Sequence, residues 1–132
     1  MYKELHDDYA VPMDSWEPTI HPQVGYVEIR EDEELLGLAI CGRHSAVEVE
    51  VHNALLPHLG WKRRVRVMRE FFAWLEKCGF KRVIGKVPAT NRYALKLNEA
   101  AGMKRFGVDE RSFLRDGVLV DQVYFGLSLG CD

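Results

Sequence analysis

The stretch from Val47 to Met103, VEVEVHNALLPHLGWKRRVRVMREFFAWLEKCGFKRVIGKVPATNRYALKLNEAAGM, constrains the fold of this chain more than any other. Its hydrophobic pattern switches from a two-residue period to a 3.6-residue period and back. That predicts strand, turn, long amphipathic helix, strand, loop and second helix. Apolar residues at Trp61, Val65, Met68, Phe72 and Leu75 follow an i, i+4, i+7, i+11, i+14 series. Val67, Phe71, Trp74 and Cys78 form a second row, and both rows together describe a core-facing helix of about 18 residues. Gly79 is a suitable stop, because the residue past a helix end often needs φ > 0. A strand, a helix and a strand in succession imply a right-handed crossover between parallel neighbours.

The start of that helix is unusual. Lys62, Arg63, Arg64, Arg66 and Arg69 crowd its first turns, and positions 58–61 hold no Ser, Thr, Asp or Asn cap. Each cation near a helix N-terminus opposes the macrodipole, at a cost of ~0.3–1 kcal/mol. A bound anion reverses that sign, since unpaired N–H groups, dipole and side chains then act together. A solvated basic face whose charges point away from the axis is the alternative, and both stay open at this level.

Around this centre the other elements follow. Residues 1–22 carry Pro12, Pro18 and Pro22; MYKELHDDYA suits a short helix, and an edge strand is expected around Trp16–Ile20. Tyr26, Val27 and Ile29 indicate a strand, Glu31 to Glu34 a polar turn, Leu35 to Cys41 a buried strand, and Gly42 to Ser45 another turn. In the third strand Val47, Val49 and Val51 point one way and Glu48, Glu50 and His52 the other. That ionisable row is either a water-facing sheet surface or a cleft wall that supplies a general base. Glu50, mid-strand, ranks first for that role, then His52 and Glu48. After the long helix, Arg82 to Val87 is a strand, and Thr90 or Asn91 caps a helix over Tyr93–Ala101. That helix has a narrow apolar stripe of Ala94, Leu97 and Ala101 and stops at Gly102. Strands near Phe106–Leu114 and Val118–Leu129 close the chain around an Asp116-Gly117 hairpin turn. The fold class is therefore α/β (α+β): an antiparallel meander, a β-α-β crossover, a second helix and a C-terminal hairpin on one mixed sheet.

Composition narrows the function classes. With 132 residues, 47% of them hydrophobic, the chain suits one domain (1–132) with one core. A net charge of −2 makes the basic cluster local and a nucleic-acid partner unexpected. No apolar run reaches ~18 residues, so no membrane span is expected. The first residues lack the basic and apolar regions of a signal peptide. Cys41, Cys78 and Cys131 have no metal spacing, and reduced thiols in a cytoplasmic protein are the simplest account. His44, His52 and His58 match no ligand motif, so no metal is expected. Cys41, Cys78, Trp61 and Trp74 all fall on apolar faces and read as core.

Three segments carry a resemblance. VHNALLPHLGWKRR, VPATNRYALKLNEAAGMKRFGV and FLRDGVLVDQVYFGLSL resemble the GNAT superfamily of acetyl-CoA-dependent N-acetyltransferases, over roughly residues 25–129. The matching positions are the strand, Pro57 and the basic-glycine loop; Asn91, Ala94 and Gly102-Met103, with Met where the family has Phe; and the terminal hairpin. The resemblance implies a splayed pair of strands with the pantetheine arm of acetyl-CoA between them. It implies that Leu55 and Leu56 offer backbone contacts to pantetheine and thioester, one of them as oxyanion donor. It implies a pyrophosphate loop of His58, Gly60, Trp61, Lys62, Arg63 and Arg64, with Asn91 holding the cofactor from the other side. The acceptor would be a primary amine of a small molecule or protein, deprotonated by Glu50, His52 or Glu48.

The chain departs from the family pattern in three places. Of the loop glycines only Gly60 stands, so cationic side chains take the place of some amides. Asn98 occupies the position where family members often carry a Tyr acid. The usual N-terminal elements are shortened into residues 1–24, which implies an acceptor pocket that is open or completed by another subunit. The resemblance therefore also admits an inactive GNAT-fold binding or assembly protein, such as a phage accessory or virion-associated component. An exposed edge on the terminal hairpin suggests a homodimer.

Overall fold

The computed structural model describes residues 24–130. The helix expected in MYKELHDDYA, the edge strand expected around Trp16–Ile20 and Cys131 lie outside them. The elements are β1 (Val24–Glu31), β2 (Glu34–Arg43), β3 (Glu48–Leu55), α1 (Trp61–Lys77), β4 (Arg82–Pro88), α2 (Arg92–Ala100), β5 (Lys104–Arg115) and β6 (Val118–Ser128). The strands form one six-stranded sheet in the order β1-β2-β3-β4-β6-β5. β3 and β4 run parallel, and every other neighbouring pair is antiparallel. This is the meander, crossover and hairpin that the alternation and turn residues predict. Asp116 and Gly117 take φ of 52° and 77°, the paired positive values that a two-residue hairpin loop requires. Gly79 and Gly102 end their helices at φ of 100° and 102°.

The core lies between α1 and one face of the sheet. Val67, Met68, Phe71, Phe72 and Leu75 of α1 cluster with Leu36 and Ala39 of β2, Val49 and Val51 of β3, Val83 of β4 and Phe125 of β6. Leu95 and Leu97 of α2, with Ala101 and Met103, extend it. Three expectations are corrected. Trp61 and Trp74 are 41% and 46% exposed, and Cys78 is exposed as well. The helix buries a narrower stripe than its apolar rows describe; Trp74 stacks on Phe71 at the rim, with ring centroids 5.6 Å apart. Val47 is exposed too, and contributes its carbonyl, which accepts from the N–H groups of Lys81 and Arg82. Cys41 is half-buried, and burial pushes its thiol up to about 11.

One feature of the sheet positions the site. β3 and β4 pair only through Glu48↔Arg82, Val49↔Val83 and Glu50↔Ile84. Beyond that, β3 stays with β2 as far as Leu55, while β4 stays with β6 as far as Pro88. The sheet therefore opens as a V whose vertex is Glu50.

Candidate functional site

Two cavities occupy the V. One, of about 370 Å³, is bordered by Glu50 and His52 from β3, Lys86 from β4, and Asn91 and Asn98 from α2 and its cap. The other, of about 810 Å³, is bordered by Leu55, Arg64, Asn91, Tyr93 and Arg115. Asn53, Asn91, Ala94 and Asn98 border both, so the two meet along these side chains.

Strand register decides which backbone donors face the V. The Leu56 N–H donates to the Leu36 carbonyl at 2.8 Å, which removes Leu56 from the expected oxyanion donors. Antiparallel pairing alternates, so the N–H groups of Ala54 and His52 also turn toward β2. Those of Leu55 and Asn53, past the last β3–β4 pair, turn toward the gap. Of the two, the Leu55 N–H faces the gap and the Leu56 N–H does not.

The basic cluster divides in a way that sequence does not reveal. Arg63 donates to Glu31 at 3.0 Å and to Glu34 at 2.7 Å. Arg66 donates to Glu31 at 2.6 Å. Arg69 reaches the Ala100 carbonyl at 2.8 Å. The acidic β1–β2 turn is thus the counter-charge that makes cations tolerable on the first turns of α1. Arg64 alone turns to the cleft. Its Nε donates to the Leu59 carbonyl at 2.9 Å and its Nη2 to the Leu56 carbonyl at 2.8 Å, which ties down the loop before α1. The guanidinium lies 5.6 Å from the Tyr93 ring, and Trp61 meets the same ring edge-on at 5.5 Å. His58, Gly60, Trp61, Lys62 and Arg63 border neither cavity. His58 Nε2 lies 3.3 Å from Glu34 instead. No side chain caps α1 at Gly60, so its first backbone N–H groups have no capping acceptor.

On the other side of the V, Asn91 caps α2 by accepting from the Ala94 N–H at 3.1 Å. At the vertex, Glu50 lies between two imidazoles. Its Oε2 is 2.5 Å from His52 Nε2 and its Oε1 is 3.0 Å from His44 Nε2. The hydrogen bond from His52 holds the Glu50 carboxyl below its ordinary range, helped by His52, His44 and Lys86 charge, against burial. Glu48 stands farther out, 3.6 Å from His44 Nδ1 and 3.9 Å from Arg82 Nε, and borders neither cavity. Lys86, which the sequence pattern does not single out, points to Asp109 of β5 at 2.9 Å. Its signal is a lone charge inside the otherwise apolar VIGKV. Among the described residues no three His, Cys, Asp or Glu gather in a metal-holding arrangement, and no helix is long and apolar enough to cross a membrane.

No protein-family model matches this chain, and no curated protein matches it. Solved structures do match. One is an assigned acetyltransferase from Salmonella typhimurium with its cofactor acetyl-CoA: TM-score 0.65, 17% identity, 76% of this chain and 61% of that one. Another is the microcin C7 self-immunity acetyltransferase in complex with acetyl-CoA and AMP: TM-score 0.68, 15% identity, 81% of this chain and 62% of that one. A third is the ribosomal-protein-alanine N-acetyltransferase from Brucella melitensis: TM-score 0.65, 14% identity, 80% and 69%. At these identities the likeness is one of fold, and the fold is that of GNAT acetyltransferases. The chain spans about three fifths of the length of the first two structures.

Proposed function

We propose that this chain transfers the acetyl group of acetyl-CoA to a primary amine of a small molecule or protein. The observation that carries the reading is the V at Glu50, which joins outward backbone donors to a polar, ionisable vertex. The N–H groups of Asn53 and Leu55 suit the amides of an extended pantetheine arm, which would add along the unpaired edge of β3 as a strand does. The uncapped start of α1 and the guanidinium of Arg64 suit its phosphates. Acetyl-CoA supplies the activated acyl group; the chain supplies positioning, an oxyanion donor at Leu55 and a proton acceptor. The Glu50–His52 pair takes the proton that the amine must lose. Ionised Glu50 orients the imidazole.

A second reading rests on Asn98, which borders both cavities where a phenol would serve as acid. It makes the chain an acetyl-CoA-binding or assembly component without turnover. Calorimetric titration with acetyl-CoA, followed by transfer assays with spermidine, a lysine peptide and a peptide with N-terminal alanine, separates the two. Binding with turnover on any amine supports the first reading. Binding without turnover supports the second, and no binding at millimolar acetyl-CoA by folded protein defeats the first and leaves the assembly role alone.

A further inference from the structure

We propose that the ion pair between Lys86 and Asp109 guards Lys86 against acetylation by the donor bound in its own cleft, and that Lys86 is the chain's latent self-acetylation site. The inference rests on the acetyl-CoA reading for the identity of the donor, and on geometry for the guard.

Lys86 lies near the middle of β4 and borders the same cavity as Glu50 and His52. Its Nζ is a primary amine, the same functional group as the acceptor. An amine fixed in the cleft has an effective concentration that no dissolved acceptor can match. Left neutral, it would compete with every acceptor the protein meets. An ammonium carries no lone pair, so holding the proton is enough to silence it. Three features hold that proton. Nζ donates to Asp109 Oδ2 at 2.9 Å. It sits 5.0 Å from the centroid of the Tyr124 ring, within cation–π range. The ionised Glu50 carboxylate also acts on it from across the V. Asp109 in first place, and Tyr124 after it, hold the Lys86 ammonium above its ordinary range against the effect of burial.

The sheet itself aims Asp109. β5 breaks register with β6 between Asp109 and Phe113. Ser112 Oγ donates to the Asp109 carbonyl at 2.8 Å, and the Arg111 N–H donates to Asp121 Oδ1 at 2.8 Å, so the irregularity is pinned at both sides. Asp109 itself keeps its regular pairing with Gln122, and alternation puts it on the same face as Gly107, whose partner Tyr124 is also the partner of Lys86.

Loss of the guard opens a balanced reaction. The Lys86 ammonium gives one proton to solvent. Its Nζ lone pair attacks the acetyl carbonyl carbon, a new N–C bond forms, and the C–S bond breaks with its electron pair leaving on sulfur. The second proton leaves the nitrogen, the thiolate takes up a proton, and the products are N-acetyl-Lys86 and coenzyme A.

The test uses the full chain and three variants, Asp109→Asn, Asp109→Glu and Lys86→Arg. Trace labelling with acetic anhydride at pH 8, read by peptide mass spectrometry, needs neither bound donor nor turnover. Lys86 should label more slowly than the exposed Lys77 and Lys81 in the unmodified chain and in Asp109→Glu. Asp109→Asn should raise its labelling roughly tenfold relative to those two lysines, since an adjacent carboxylate suppresses the neutral amine by about that factor or more. Equal Lys86 labelling in unmodified protein and Asp109→Asn overturns the guard, whatever acetyl-CoA does. A second incubation, with acetyl-CoA alone, should add one acetyl group at Lys86 in Asp109→Asn and none in Lys86→Arg. If Asp109→Asn binds acetyl-CoA, releases Lys86 toward anhydride and still shows no acetyl-Lys86, the self-acetylation site is overturned. If calorimetry shows no acetyl-CoA binding at all, the donor reading has failed, and the anhydride comparison still decides the guard.

Discussion

His52 Nε2 lies 2.5 Å from Glu50 Oε2, at the last residue of β3 that still pairs with β4. In a neutral imidazole a donating Nε2 leaves the lone pair on Nδ1, so the carboxylate selects the tautomer. A positioned proton acceptor contributes about 10²–10⁴-fold to such a transfer, so His52→Gln should lower kcat/KM by about a hundredfold or more. Glu50→Gln should cost about tenfold or more through misorientation of the ring. His44→Gln touches only the outer oxygen of Glu50 and should cost less than either. Steady-state kinetics with acetyl-CoA and the amine found by screening check the ranking. A Glu50→Gln protein with full activity removes Glu50 from the proton-accepting pair.

Local signals account for what was legible in the sequence. The Val49–Val51 alternation, Gly79, Gly102 and Asp116-Gly117 each act within a few residues, and the elements follow from them. The cap of α2 was legible as Thr90 or Asn91, and Asn91 fills it because its partner is the third residue on. The rest depends on partners that are distant in sequence. Whether the Leu55 or the Leu56 N–H faces the cleft is set by register against β2. Arg63 meets Glu31 across 32 positions, and Lys86 meets Asp109 across 23. Helical periodicity places Trp61 and Trp74 near the apolar stripe, but what the sheet covers decides their exposure.

Arg63 and Arg64 are adjacent and should behave as opposites. Arg64 bridges two carbonyls of the loop that leads into α1, and its planar fork cannot be replaced by lysine. Hydrogen bonds from a charged donor are worth about 1.5–3 kcal/mol, so Arg64→Ala should lower unfolding free energy by about that range in urea titrations. Acetyl-CoA affinity should fall with it, because the loop and the guanidinium both border the cleft. Arg63→Gln breaks a half-buried ion pair to Glu31 and an exposed one to Glu34, away from the cleft, and should leave that affinity within about twofold. Calorimetry on the two variants side by side checks this, and a larger loss for Arg63→Gln would reassign the phosphate contact.

Asn91 joins stability to the site. Removing an N-cap costs about 0.5–2 kcal/mol, so Asn91→Ala should destabilise the chain by that amount. Asn91→Asp keeps an acceptor for the Ala94 N–H and should restore most of the loss. Asn91 also borders both cavities, so the alanine variant should bind acetyl-CoA more weakly as well. Denaturant titration and calorimetry on the same preparations separate the two effects. Unchanged stability in Asn91→Ala would remove the cap from this account of α2.

The contact between the β1–β2 turn and α1 should show in acid. Arg66, then Arg63, hold the Glu31 carboxyl down at about 2, against an ordinary value of 4.5. A depressed carboxylate contributes stability that is fully present above its unfolded value and is lost as pH falls through its folded value. The contribution of Glu31 should therefore be complete at pH 6, shrink below about pH 4.5 and be nearly gone at about pH 2. Comparing thermal melts of the unmodified chain and Glu31→Gln across that window isolates it. The gap in Tm should be small at neutral pH, because the pair is exposed, and smaller again in molar salt. It should close steadily between pH 4.5 and pH 2. A gap that is constant across the window would assign the effect of Glu31→Gln to packing in the turn rather than to its charge, and would leave Arg63 and Arg66 without an energetic link to the meander.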